Sequence, residues 1–134
     1  MRAASKVLYP DMIAWVRRLR AQRTQSTISD IYLLSNESRE LMAYRIPTFG
    51  LTGLFDAYLV SAYIGVRKPE PAAFERALEI CQRAPEECVF IDDRQENVEA
   101  AEKAGIQGIR MESPSQVIAD LGRLGILVDG PTAP

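Results

Sequence analysis

The feature that most constrains this chain is a unit that recurs: a short, uniformly apolar run, a polar break at its end, then residues at helical spacing. Ile31-Tyr32-Leu33-Leu34 ends in Ser35-Asn36, and Cys88-Val89-Phe90-Ile91 ends in Asp92-Asp93. Between them, Ala57-Tyr58-Leu59-Val60 leads into Ser61–Gly65, which either continues the strand or turns away. Runs that are apolar throughout, rather than alternating, suit strands covered on both faces, as in parallel sheets. Strands separated by helices imply an α/β fold, a parallel sheet with helices on both sides.

The intervening segments supply the helices. Pro10 and Asp11 open a stretch in which Met12, Trp15, Val16 and Leu19 share a face, followed by a polar loop over 22–27. A helix is predicted from near Glu37, carrying Leu41, Met42 and Tyr44, with the Pro-, Thr- and Gly-bearing stretch 46–55 as a loop. Pro71 suits the first turn of a helix with Phe74, Ala77, Leu78 and Cys81. Val98, Ala101 and Ala104 mark another helix, with Gly105 placed to end it. Ile106–Met111 reads as a weaker fourth strand. Ser113-Pro114-Ser115-Gln116 has the form of a capping box opening a helix with Val117, Leu121 and Leu124. At 134 residues, against roughly 150 for a usual domain, the expectation is a single domain over 1–128 with a fraying tail over 129–134.

Composition narrows the chemistry. There is no histidine, which excludes imidazole as base or metal ligand, and with it Ser-His-Asp and Cys-His hydrolysis. A net charge of −2 argues against nucleic-acid backbone binding, which usually needs a basic surface. No window is apolar for long enough to cross a membrane, and the first ten residues lack the apolar stretch of a signal peptide. Cys81 and Cys88 have neither zinc nor redox-pair spacing. A cytoplasmic setting with reduced thiols is expected.

In parallel α/β sheets, ligands gather outside the carboxyl ends of the strands. Three polar sets fall there: Ser35-Asn36, Lys68 and Asp92-Asp93. The paired carboxylates suit a hard divalent ion such as magnesium, or Asp93 simply caps the next helix. Lys68, within Arg67-Lys68-Pro69-Glu70-Pro71, is placed to neutralise a phosphate oxygen, or is an ordinary solvated lysine. Ser35-Asn36 is either an anion cradle at a helix start or an N-cap.

Taken in order, these sets resemble the later motifs of the haloacid dehalogenase-like hydrolases. Leu33-Leu34-Ser35-Asn36 is similar to that superfamily's second motif. Residues 65–74, Gly-Val-Arg-Lys-Pro-Glu-Pro-Ala-Ala-Phe, resemble the third motif with its lysine. Residues 89–101, from Val89-Phe90-Ile91-Asp92-Asp93 through Asn97 to Ala101, resemble the fourth. The resemblance spans roughly residues 7 to 112 and implies a Rossmann-like three-layer core. It implies a phosphatase-type hydrolase in which an aspartate nucleophile attacks a phosphoryl group held with magnesium. In that scheme Ser35 hydrogen-bonds the phosphoryl oxygen, Asn36 helps to bind substrate, Lys68 steadies the nucleophile and developing charge, and Asp92 and Asp93 hold magnesium.

One motif has no counterpart. The family's nucleophile lies in an Asp-x-Asp after the first strand, and no two of the seven aspartates here are separated by one residue. The chain is expected to begin after that motif and after the cap module of many relatives, and so to lack the usual first central strand. Its loss leaves strand edges unpaired or presses the strands of Ser35 and Asp92 together. Val7-Leu8-Tyr9 is the one short segment nearby to replace it. Three readings follow. The chain is a truncated hydrolase core, inactive by itself; or a non-catalytic binding module; or a subunit completed by another chain, including a homodimer. The expected ligands are a small phosphorylated metabolite and weakly held or absent magnesium, with no nucleic acid and no membrane.

Overall fold

The computed structural model describes residues 30–48, 50 and 52–126, together with Ile13, Ala14, Val16, Arg17 and Arg20. Those five are helical in the first predicted helix. The expectations for Met12, Trp15 and Leu19, for Val7-Leu8-Tyr9, for the 22–27 loop and for the 129–134 tail lie outside the described residues. The described residues fall into two compact units: Tyr32–Met111, and those up to Ile31 with those from Glu112 onward.

The larger unit runs β1 (Tyr32–Ser35), α1 (Arg39–Thr48), β2 (Ala57–Val60), α2 (Ser61–Ile64), α3 (Pro71–Cys81), β3 (Val89–Asp92), α4 (Gln95–Lys103) and β4 (Gln107–Arg110). Among the described residues all strand pairing is parallel. Tyr32 faces Ala57 and Ser35 faces Val60 in one pair; Val89 faces Gln107 and Asp92 faces Arg110 in the other. Among the described residues no ladder joins β1 to β3, so the pairs form two separate two-stranded sheets. The strands that carry Ser35 and Asp92 are therefore not pressed together.

Local chemistry accounts for the shifts from the predicted boundaries. Helix α1 begins at Arg39 rather than near Glu37 because Ser38 caps it, its hydroxyl accepting the Leu41 N–H at 3.1 Å. It also runs through Pro47 to Thr48, where a loop was expected. That near the helix end the missing proline N–H forfeits a single bond, and Gly50 N–H closes the turn on the Pro47 carbonyl. Residues 61–65 turn away from β2 as α2, which ends at Gly65. Strand β3 starts one residue late, since Cys88 N–H is tied to Pro85 in a 3-10 turn that the sequence reading missed. Gly105 follows α4 with φ of 89°, as an end-capping glycine should. A Cβ at Gly108 would stand 2.7 Å from Val98 Cγ1, so this glycine is what lets β4 approach α4.

The two strand pairs share a helical core. Phe74 and Ala73 of α3, Ala101 of α4 and Ile106 form a buried cluster, with Leu34 of β1 and Phe90 of β3 packed against it. Phe74 meets Phe90 edge-to-face at 5.1 Å. Burying a Phe fully is worth about 1.5–3 kcal/mol, so side-chain packing holds together what the backbone does not. In the smaller unit, α5 (Pro114–Arg123) opens with the predicted capping box: Ser113 Oγ accepts Gln116 N–H at 3.1 Å and Gln116 Oε1 accepts Ser113 N–H at 3.3 Å. Val117 and Leu121 are buried. No described helix is long and apolar enough to cross a membrane.

Candidate functional site

The polar residues singled out in the sequence meet at the carboxyl ends of β1 and β3. Ser35 closes β1, and Asn36 leaves it. The Asn36 carboxamide pairs with the Lys68 backbone at both ends: Lys68 N–H donates to Asn36 Oδ1 at 2.9 Å, and Asn36 Nδ2 donates to the Lys68 carbonyl at 2.8 Å. The Lys68 side chain then reaches across to Asp92 at the end of β3. Its Nζ is 2.6 Å from Asp92 Oδ2, with the two side chains only 10% and 7% exposed. Beneath the ammonium lies the Phe90 ring, its centroid 5.6 Å away, close enough for a cation–π attraction.

Asp92 is held from every side. Oδ1 accepts the Arg94 N–H at 2.9 Å, and Oδ2 also accepts from Asn97 Nδ2 at 3.3 Å. Burial pushes its carboxyl upward, but the Lys68 charge and hydrogen bond, the Arg94 N–H and a side-chain hydrogen bond with Asp93 outweigh burial and hold it below the ordinary carboxylate range. Arg94 itself is exposed and paired with Glu96.

Lys68, Asn36 and Asp92 are thus joined directly, with Ser35 and Asp93 beside them in the chain. The Ser35 hydroxyl has no hydrogen bond among the described residues. Two participants were not put forward from the sequence as site residues. Asn97 is 4% exposed, and its signal was an amide on the same face of α4 as Val98 and Ala101. Glu37 is the other: its N–H donates to Ser61 Oγ at 3.1 Å, that hydroxyl donates back to the Glu37 carbonyl at 3.3 Å, and Arg45 Nη1 pairs with its carboxylate at 2.5 Å. Nothing in the pattern of single residues marks that lacing.

Magnesium fits this set by ligand type and not by arrangement. Asp92 and Asp93 offer the oxygen donors a hard cation prefers. Yet Asp92 already has the Lys68 ammonium as its counter-charge and N–H donors on both oxygens. No group of three acidic or cysteine side chains able to hold a metal occurs among the described residues.

Comparison with known proteins places the arrangement. The chain is 34% identical over 84 residues to a phosphatase from Mycobacterium tuberculosis, covering 60% of this chain and 39% of that protein. It therefore spans well under half the length of that curated relative. An uncharacterised protein from Corynebacterium glutamicum has a solved structure matching at TM-score 0.72 and 30% identity, over 89% of this chain and 86% of that one. A HAD family enzyme from Bacteroides thetaiotaomicron, solved with magnesium and inorganic phosphate, matches at TM-score 0.64 and 26% identity, over 80% of this chain and 54% of that one. The sequence pattern of the haloacid dehalogenase-like hydrolases matches residues 2–105, the stretch that carries the Ser35-Asn36, Lys68 and Asp92-Asp93 sets, and the chain belongs to that family.

Proposed function

We propose that this chain forms the phosphate-holding part of a phosphatase-type hydrolase core, and that it turns over no phosphate ester until an Asp-x-Asp strand is supplied to it. The observation that carries this reading is the Lys68 ammonium, fixed at the carboxyl ends of β1 and β3 beside the uncommitted Ser35 hydroxyl. A positive charge and a hydroxyl donor at that edge suit phosphoryl oxygens. In this scheme Ser35 donates to a phosphoryl oxygen, and Lys68 balances the charge that develops as a carboxylate attacks. Asp92 and Asp93 contribute oxygens to magnesium only once a further carboxylate joins them. The resemblance to a phosphatase and to an enzyme solved with magnesium and phosphate supports the reaction class. It leaves the substrate at the level of a small phosphorylated metabolite.

The nucleophile is what these 134 residues do not contain, since no Asp-x-Asp occurs among them. The strand topology supports a second element of the reading. No ladder joins β1 to β3 among the described residues, and the family resemblance locates the first-motif strand between those two. A strand from another segment, or from a second copy of the chain, is the partner that this geometry suits.

The test is hydrolysis of p-nitrophenyl phosphate with magnesium by the chain alone. No turnover is expected, and turnover abolished by Asp92→Ala would overturn the proposal. Sedimentation at high concentration checks the partner element. Self-association is expected, and a clean monomer removes the homodimer.

A further inference from the structure

Asn36 stands where a substrate ligand is expected, yet its carboxamide is spent on the chain itself. One donor and one acceptor close on the N–H and C=O of a single residue, Lys68, at 2.9 and 2.8 Å. That is the pairing of one peptide group with another, made by a side chain across 32 positions of sequence. It fixes the backbone at Lys68 in both position and direction.

The segment needs such a fixture. Residues 65–70 link α2 to α3 without a strand or helix of their own, and Gly65, Arg67, Pro69 and Glu70 are exposed. Their own bonds are a turn from Glu70 N–H to the Arg67 carbonyl and one from Arg67 N–H to Glu70 Oε1. Lysine adds a four-carbon stem with freely rotating bonds, so an ammonium stays in place only if both ends of the residue are held. Asp92 and the Phe90 face hold the tip. Asn36 holds the root. The next residue, Glu37, makes a second stitch to Ser61 at the start of α2, so the exit of β1 is laced at two successive positions to the chain that follows β2.

We propose that Asn36 is a positioning residue for Lys68: it sets where the ammonium stands and does not itself contact the phosphoryl group. The role in catalysis rests on the phosphate-holding reading above, whereas the clamp stands without it.

Backbone amide exchange followed by NMR on the chain tests the clamp. The Lys68 N–H of the wild type should be protected although its neighbours are exposed. Asn36→Ala should speed its exchange about tenfold or more, while the Gln107 and Met111 amides, which bond the far strand pair, keep their rates. Asn36→Asp retains the acceptor and should restore most of the Lys68 protection. Should Asn36→Ala fail to fold, the wild type and Asn36→Asp decide. A Lys68 amide that exchanges at the unprotected rate in the wild type overturns the proposal, and so does one unmoved by Asn36→Ala in a folded chain. Titration with inorganic phosphate followed by phosphorus NMR separates positioning from contact. Asn36→Ala should weaken phosphate binding in the wild type and change nothing further in Lys68→Met. An added loss in Lys68→Met makes Asn36 a direct ligand and overturns the proposal. If the wild type binds no phosphate, the phosphate-holding reading fails while the exchange result still decides the clamp.

Discussion

Replacing Lys68 by Met exposes how the site is balanced. The ammonium and the Asp92 carboxylate lie 2.6 Å apart with side chains 10% and 7% exposed. Deleting one member of so buried a pair strands the other, which costs about 3–5 kcal/mol. Asp92 would retain the Arg94 N–H at 2.9 Å and the Asn97 amide at 3.3 Å, so the lower end applies, about 3 kcal/mol at neutral pH. The sign of the pH dependence follows from what faces the carboxylate: Lys68, Asp93, the Arg94 N–H and Asn97. In the wild type burial pushes Asp92 upward, but Lys68, the Arg94 N–H and Asp93 outweigh it and hold the carboxyl below its ordinary range. Its contribution is therefore complete above the unfolded-state value and is lost as pH falls through the depressed folded value. In Lys68→Met burial prevails, the folded value rises above the unfolded one, and the penalty is largest at neutral pH. It fades as Asp92 protonates.

Urea unfolding followed by circular dichroism, repeated from about pH 7 down to about pH 4, should show the gap between wild type and Lys68→Met narrowing steadily. Lys68→Met combined with Asp92→Leu should recover most of the loss, because no charge is then left buried. A gap equal at both ends of the pH range, or below about 1 kcal/mol at neutral pH, would refute the argument that this pair is buried and interdependent.

Three further outcomes are open to simple measurement. Calorimetric titration with magnesium should show no saturable heat below millimolar concentration, because Asp92 is already neutralised by Lys68; tight binding would mean that the pair opens to admit the metal. Gly108→Ala should destabilise the chain by about 1–3 kcal/mol, since the new methyl meets Val98 Cγ1 at 2.7 Å and the Val98 carbonyl at 3.2 Å; an unchanged urea midpoint would show that α4 gives way freely. Ser113→Ala should cost about 1 kcal/mol through loss of the α5 cap, and a thermal midpoint equal to the wild type would remove the cap from the account.

What could be read from the sequence was whatever depends on local pattern. Ala57–Val60 is a strand over the range expected from its apolar run, and Pro71 and Gly105 stand at the start and end of their helices. The Ser113–Gln116 box forms as written. Where the reading slipped, a neighbour decided: Ser38, rather than Ser35 or Asn36, caps α1, and Pro47 was tolerated where it falls late in that helix. The convergence of Asn36, Lys68 and Asp92 was legible because Asn36 follows and Asp92 closes the carboxyl end of a strand with a parallel partner. Their bonding was not legible, because Asn36 meets Lys68 and Lys68 meets Asp92 only after three segments have folded onto one another.

The absence of a ladder between β1 and β3 bears on how the chain melts. Each strand pair closes its own parallel ladder around an intervening helix, and so resembles a folding unit that forms from nearby sequence. Cooperation between the two strand pairs passes through the Phe74 cluster and the Lys68–Asp92 bridge rather than through a shared ladder. Any strand or ligand that spans both strand pairs stabilises the folded state in proportion to the logarithm of its concentration over its dissociation constant, which makes the melting temperature a direct gauge of such a ligand.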